Sequence, residues 1–237
     1  MSGAGLLQVE RLDAFYGQLQ ALRGVSLAVG AGEALAVIGA NGAGKTTLFR
    51  AILGLERSDR GDVVFDGESI RGLPAHRIVR RGIALVPEGR RIFPSLSVDE
   101  NLRVAEDHHP ARRARRWTRE RVYDLFPDLR PAAARRGDHI SGGQQQMLAI
   151  GRALLCEPRL ILCDEVSLGL APLVVKALYE ALAAIRREGV TLVFVEQDVT
   201  RSISFSDHLI CLHQGVVRLE GPSASRSLEE VRRAYFG

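Results

Sequence analysis

Apolar residues fall into two rhythms along this chain, short unbroken runs and stripes at helical spacing. The runs Ala34-Leu-Ala-Val-Ile38, Ile83-Ala-Leu-Val86, Leu160-Ile-Leu-Cys163 and Val190 to Val195 predict buried strands. Between them, Thr47 onward predicts a helix with Leu48, Ala51, Ile52 and Leu55 on one face. A second helix should start at Pro172, carry Val174, Leu178, Leu182 and Ile185 inward, and close at Gly189. Strands alternating with helices make the expected fold class α/β.

The ends of the chain add smaller features. Leu6 to Val9, Val25 to Val29 and Val63 to Phe65, with an Asp66-Gly67 turn, predict an N-terminal antiparallel β-subdomain. Pro74 to Arg81 reads as a short helix with proline near its start. Ser97 and Glu100 form a capping box that opens a helix, and helical patterning continues through Trp117, Val122, Leu125 and Phe126 to Ser141. We therefore read 90–157 as a helical subdomain inserted into a core made of 1–89 and 158–237. A last strand pair turns at Gln214-Gly215, and Ser227 with Glu230 caps a C-terminal helix. There is no internal repeat, which excludes two copies of the unit in tandem.

Composition leaves this outline in place and removes several function classes. With 46% apolar and 25% charged residues in 237, the chain is globular rather than disordered. The longest membrane-like candidate, Val174 to Ile185, is broken by Lys176 and Glu180 and is shorter than the roughly 20 apolar residues of a span. The N-terminus lacks a basic segment followed by an apolar core, so the reading is cytoplasmic, with membrane contact only through partners. Cys156, Cys163 and Cys211 lack metal-type spacing and read as reduced. The net charge of +4 comes from arginine, since Lys45 and Lys176 are the only lysines. The densest cluster, Arg112, Arg113, Arg115, Arg116, Arg119 and Arg121, wraps around a helix and carries one aromatic, Trp117. That arrangement suits a solvated helix better than a stacking platform for nucleic acid.

Candidate chemistry begins at Gly39-Ala-Asn-Gly-Ala-Gly-Lys45-Thr46, which fits G-x-x-x-x-G-K-[ST] between a predicted strand and a predicted helix. Glycines allow the backbone to curl close to phosphate oxygens, Lys45 can reach terminal phosphates, and the Thr46 hydroxyl can ligate Mg²⁺. Asp164-Glu165 ends a buried strand, where ligands of open α/β sheets bind. Asp164 would hold Mg²⁺ through water, while Glu165 would orient or deprotonate the water attacking a γ-phosphate. Ser141-Gly142-Gly143-Gln144 starts a strongly apolar helix whose free N–H groups can meet an anion. An N-cap role explains Ser141 alone; two glycines in succession imply a close approach to the backbone.

These motifs, in this order and over nearly the whole chain, resemble the ATP-binding cassette (ABC) ATPases of membrane transporters. The resemblance implies a P-loop NTPase (RecA-like) core, ATP and Mg²⁺ as cofactors, and a site shared by two cassettes. Asn41, Gly42, Ala43, Gly44, Lys45, Thr46 and Thr47 would cradle phosphates, while Ser141, Gly142, Gly143 and Gln144 would serve the partner's nucleotide in trans. Tyr16 would stack on adenine. Glu88 stands where most cassettes place a metal-sensing glutamine, and would touch Mg²⁺ with Thr46 and Asp164. Gln197 stands where most place a histidine at the γ-phosphate. Val86-Pro-Glu-Gly-Arg-Arg91, Ser167-Leu-Gly-Leu-Ala-Pro172, Val195-Glu-Gln197 and the ending Arg233-Ala-Tyr-Phe-Gly237 are similar to the smaller ATPase subunit of branched-chain amino-acid importers. Val166 departs from an expected proline and Gln144 from a common glutamate, and the segment from His208 to Gln214 is unusual. The implied partners are transmembrane permease subunits through Glu88 to Leu102, a second related ATPase subunit or a second copy, and indirectly a substrate-binding protein, on the inner face of the cell membrane. Urea or amide transport, another ABC transporter, and a soluble low-turnover nucleotide switch are the alternatives.

Overall fold

The computed structural model describes residues 5–107 and 116–236. Its N-terminal part contains β1 (Leu7–Tyr16), β2 (Leu19–Val29), β4 (Arg57–Phe65) and β5 (Glu68–Ser69), an antiparallel sheet in the order β2-β1-β4-β5. The strands outrun the predicted ones for a physical reason. Arg11 takes a left-handed φ of 43°, and the register of β1 against β2 shifts between Val9 and Leu12. Such a bulge moves the inward face by one position, which breaks the alternation that a sequence displays.

The second sheet has the order β10-β9-β3-β8-β7-β6, formed by β3 (Ala34–Ile38), β6 (Ile83–Val86), β7 (Leu160–Asp164), β8 (Thr191–Val195), β9 (His208–His213) and β10 (Val216–Pro222). β9, β3, β8, β7 and β6 run parallel, and β10 returns antiparallel through Gln214-Gly215. Both faces of this sheet are covered. Ala34, Ala36 and Ile38 pack into one core with the helices, whereas Leu35 and Val37 pack into another with the antiparallel sheet. Continuous apolar runs are the mark of strands buried on two sides.

Helices α1 (Lys45–Ile52), α2 (Ala75–Arg80), α3 (Val98–Asp107), α4 (Arg119–Leu125), α5 (Gly142–Leu154), α6 (Pro172–Arg187), α7 (Val199–Phe205) and α8 (Leu228–Phe236) complete the described fold. α3 to α5 all lie between β6 and β7 in the chain. Ser97 and Glu100 exchange the bonds of a capping box at α3, and Ser227 and Glu230 do the same at α8. The helical patterning expected to run from Trp117 to Ser141 is not one helix. α4 starts after the N-cap Thr118, and Pro127–Ala132 and Gly137–His139 are short 3₁₀ segments. Pro127 and Pro131 lack the N–H groups that an α-helix needs there. α7, capped by Asp198, has only seven residues and was not anticipated. Cys163 and Cys211 are buried and Cys156 is half-buried, all as free thiols. No helix among the described residues is long and apolar enough to cross a membrane.

Candidate functional site

Adjacent parallel strands deliver their carboxyl ends to one edge, and β3, β8, β7 and β6 are neighbours in that order. The turns leaving them carry Gly39 to Gly44, Gln197, Asp164-Glu165 and Glu88 respectively. A cleft of about 450 Å³ opens there, bringing together Tyr16, Asn41, Gly42, Gly44 to Thr47, Glu88, Glu165 and Gln197, with Ala43 buried behind the loop. Tyr16 ends β1 and is 67% exposed, so it is no core tyrosine; its ring borders the cleft.

Local geometry explains the glycine loop. Gly39 has a φ of 154°, and a Cβ there would lie 2.3 Å from the Leu212 carbonyl oxygen. Gly44 is the left-handed N-cap of α1 and offers no side chain, so the first amides of that helix open to the cleft uncapped. Helix N-terminal amides in this state attract anions. Lys45 is only 5% exposed, and its ammonium donates to the Gly39 and Ala40 carbonyls at 2.7 and 3.1 Å. Glu165 Oε1 lies 3.8 Å from the same nitrogen. A buried ammonium thus has three oxygen partners supplied by the loop and the acidic strand end.

Two acids, Glu88 and Glu165, line the cleft, and a third, Asp164, is buried against Thr46. Asp164 is 4% exposed, and burial pushes its carboxyl from 3.8 up to about 6. A bond from the Thr46 hydroxyl to Asp164 Oδ1, 3.4 Å long, opposes that rise, while the charges of Glu165 and Glu88 add to it. Glu165 takes a left-handed φ of 48°, fixed by its N–H donating to the Val195 carbonyl at 3.1 Å. Its side chain is held from the other side, where Gln197 Nε2 donates to Oε2 at 2.8 Å. Among the described residues no three His, Cys, Asp or Glu side chains converge to hold a metal by themselves. Mg²⁺ needs no such cage, because it binds through one or two carboxylates, waters and phosphates. A hydroxyl and a carboxylate against a lysine and open amides therefore fit a metal-bound polyphosphate better than either ion alone.

Ser141, Gly142, Gly143 and Gln144 do not border this cleft. They form a self-contained start to α5. Ser141 Oγ accepts from the Gln144 N–H, Gln144 Oε1 accepts from the Ser141 N–H, and Gln144 Nε2 donates to the Asp128 carbonyl. The close approach implied by the two glycines is found within the chain. A Cβ on Gly142 would meet the Arg90 guanidinium at 2.8 Å, and one on Gly143 would meet Val174 at 2.6 Å. Arg90 also donates to Gln145 Oε1 at 2.8 Å, tying the loop after Glu88 to the start of α5.

Sequence reasoning passed over three residues that shape the site. Arg90 was read only as part of a motif. Asn101 is buried on α3, accepts from the Phe93 N–H and donates to the Phe93, Leu96 and Ser97 carbonyls, so it anchors the segment that follows Glu88. Glu196 is 3% exposed beside Gln197. Glu196 directly follows the apolar run ending at Val195, whereas Asn101 stands among polar neighbours and carried no such signal. Of the arginine cluster, Arg112, Arg113 and Arg115 lie outside the described residues. Arg119 pairs with Asp99 and Glu106, and Arg121 pairs with Glu188 and stacks on Trp117, while Arg116 donates to the Glu188 carbonyl.

A glycine loop opening α1, acids at the ends of neighbouring parallel strands, and a capped helix inserted between β6 and β7 define a P-loop nucleotide-binding cassette. The chain belongs to the ABC transporter family, whose model matches residues 22–167, and it is an ATPase subunit of that family. BraG of Pseudomonas aeruginosa, a high-affinity branched-chain amino acid transport ATP-binding protein, is 40% identical over 98% of this chain and 100% of its own. LptB of Haemophilus influenzae, a lipopolysaccharide export system ATP-binding protein, is 32% identical over 98% of this chain and 97% of its own. Among solved structures, the ADP conformation of MJ1267, an ATP-binding cassette of an ABC transporter, superposes with a TM-score of 0.82 at 26% identity, covering 99% and 100% of the two chains.

Proposed function

We propose that this chain is the ATP-hydrolysing subunit of an importer of branched-chain amino acids, seated on permease subunits at the inner face of the cell membrane. The observation that carries the reading is full-length likeness to BraG at 40%, against 32% for the export subunit LptB. In this reading the cassette pairs with a related ATPase subunit or with a second copy of itself, and a substrate-binding protein selects the cargo. The core spans 1–89 and 158–237, with 90–157 as the helical insertion.

Within one cleft, Tyr16 stacks on adenine and the amides of residues 41–47 surround the phosphates. Gly39 and Ala43 shape that loop. Lys45 leaves the Gly39 and Ala40 carbonyls to bind phosphate oxygens. Thr46, Asp164 and Glu88 would hold Mg²⁺, which would neutralise phosphate charge. Burial has lifted the Asp164 carboxyl, so a cation at that place favours its ionised form. Glu165 accepts the proton of the attacking water, and Gln197 holds its carboxylate in one orientation. Ser141, Gly142, Gly143 and Gln144, which stand outside this cleft, serve the partner's nucleotide in this reading.

Uptake of labelled leucine, isoleucine and valine by cells with the chain deleted, complemented, or complemented with Glu165→Gln tests the reading. Loss of uptake in the deletion and in Glu165→Gln supports it. Normal uptake in the deletion ends the importer assignment, and wild-type ATP hydrolysis by Glu165→Gln ends the assignment of the base.

A further inference from the structure

The strand end that supplies Gln197 supplies a second side chain on its other face. Glu196, itself buried and outside the cleft lining, lies beside a partly buried aromatic group in which Tyr179, Phe194 and Phe205 meet edge to face at 4.9 to 6.5 Å. Its Oε2 accepts from Ser167 Oγ at 2.8 Å. Its Oε1 has no well-formed hydrogen bond, and neither has the buried Tyr179 hydroxyl beside it. Arg201 of α7 caps the aromatic group, with its guanidinium over the Tyr179 ring at 5.4 Å and a long contact to Ser167 Oγ at 3.5 Å.

A carboxylate in such surroundings does not strengthen the fold. Burial lifts its carboxyl above the ordinary value, and the Ser167 bond, the neighbouring Tyr179 hydroxyl and Arg201 only partly offset this. An apolar side chain of similar size would pack there without the desolvation cost. The contact with Ser167 gives the group a different use. Ser167 lies two residues beyond Glu165, in a turn closed by the Leu168 N–H on the Glu165 carbonyl. Val195, Glu196 and Gln197 thus grip that turn at three consecutive points: the Glu165 N–H, the Ser167 hydroxyl and the Glu165 carboxylate.

We propose that Glu196 is a positioning residue for ATP hydrolysis, which through Ser167 fixes the turn that aims the Glu165 carboxylate into the cleft. The proposal rests on the reading of Glu165 as the base. Successive residues on an extended strand end point to opposite sides, so Gln197 orients the carboxylate from within the cleft while Glu196 anchors its backbone from the core. Expelling the Glu196 grip leaves nucleotide contacts untouched, because Lys45, Thr46 and the loop amides belong to other elements.

The test is steady-state hydrolysis by the full chain, with nucleotide affinity followed in parallel by a fluorescent ATP analogue. Glu196→Ala and Ser167→Ala should each lower kcat by about 10- to 100-fold, the penalty of a misplaced reacting group, with KM and analogue affinity within about twofold. Glu196→Gln, whose amide oxygen still accepts from Ser167, should keep kcat within about threefold. The double variant should be no slower than the slower single variant, since both remove one contact. Wild-type kcat in either alanine variant, a loss confined to KM, or multiplied losses in the double variant would overturn the proposal. If Glu196→Ala does not fold, Ser167→Ala, which leaves the aromatic group intact, decides alone. Glu165→Gln in the same assay separates the two ideas: its failure to slow hydrolysis removes the base, whereas slow Glu165→Gln beside normal Ser167→Ala removes only the positioning role.

Discussion

α1 begins just after a glycine and α5 begins on two of them, yet their first turns are in opposite states. α1 has no side-chain cap, and its amides face an acidic cleft beside a buried lysine. α5 has a complete capping box, and its two glycines are occupied by Arg90 and Val174. The contrast shows that a glycine-rich helix start is not by itself a phosphate site. α1 leaves its first donors without a side-chain cap at the cleft, whereas α5 has its first turn satisfied by its own chain.

Lys45→Ala should break the comparison on the α1 side with the largest effect, slowing phosphate release by about 100-fold or more, the usual result of removing a preorganised charge donor. A rate within a few-fold of wild type would mean that the cleft does not hold the phosphates.

Asp164→Asn sharpens the same side through stability. Its folded carboxyl titrates at about 6, above the ordinary 3.8, so the native state is penalised once the group is ionised. The penalty is absent below 3.8, grows as pH rises, and is complete above about 6. Without Mg²⁺ or nucleotide, the asparagine variant should gain up to about 3 kcal/mol in urea melts at about pH 8 and nothing near pH 4. An equal gain at both values would contradict the burial argument.

Ser141→Ala tests α5. Loss of the N-cap should cost about 1 kcal/mol in the lone chain. If the helix also serves a neighbour's nucleotide, hydrolysis should fall by about tenfold or more at temperatures where the variant is fully folded. A melt shift with unchanged turnover would leave α5 as a capped helix only.

The smallest effect belongs to Gly142→Ala. Helix propensity favours alanine by about 1 kcal/mol, and the group it displaces is the flexible end of Arg90, so the net change should stay within about 0.5 kcal/mol. A cost above about 2 kcal/mol, read by the same melts, would show that the bond between Arg90 and Gln145 is rigid and needed.

The phosphate loop, the acidic strand end and the four parallel core strands were legible because each depends on neighbours in sequence. Glycines at fixed offsets, apolar runs and capping pairs state their own geometry. The long β1–β2 hairpin was not legible, since the bulge at Arg11 cancels the alternation. Neither was the break after α4, where prolines interrupt a pattern that apolar spacing alone continues. The paired glycines at 142 and 143 stood out in the sequence, but what approaches them within the chain could not be named, because Arg90 and Val174 lie tens of residues away.

By itself the sequence determined the core strands, the glycine loop and the family, because those follow from local backbone needs and from motif order. Only the tertiary structure decided which strand ends meet, that Lys45 rests on its own loop carbonyls, that Gln197 and Glu196 hold one turn from opposite faces, and that Ser141 stands outside the cleft. These depend on strand order in the sheet and on which side of a strand end a side chain leaves, and neither is encoded in the spacing of residues along the chain.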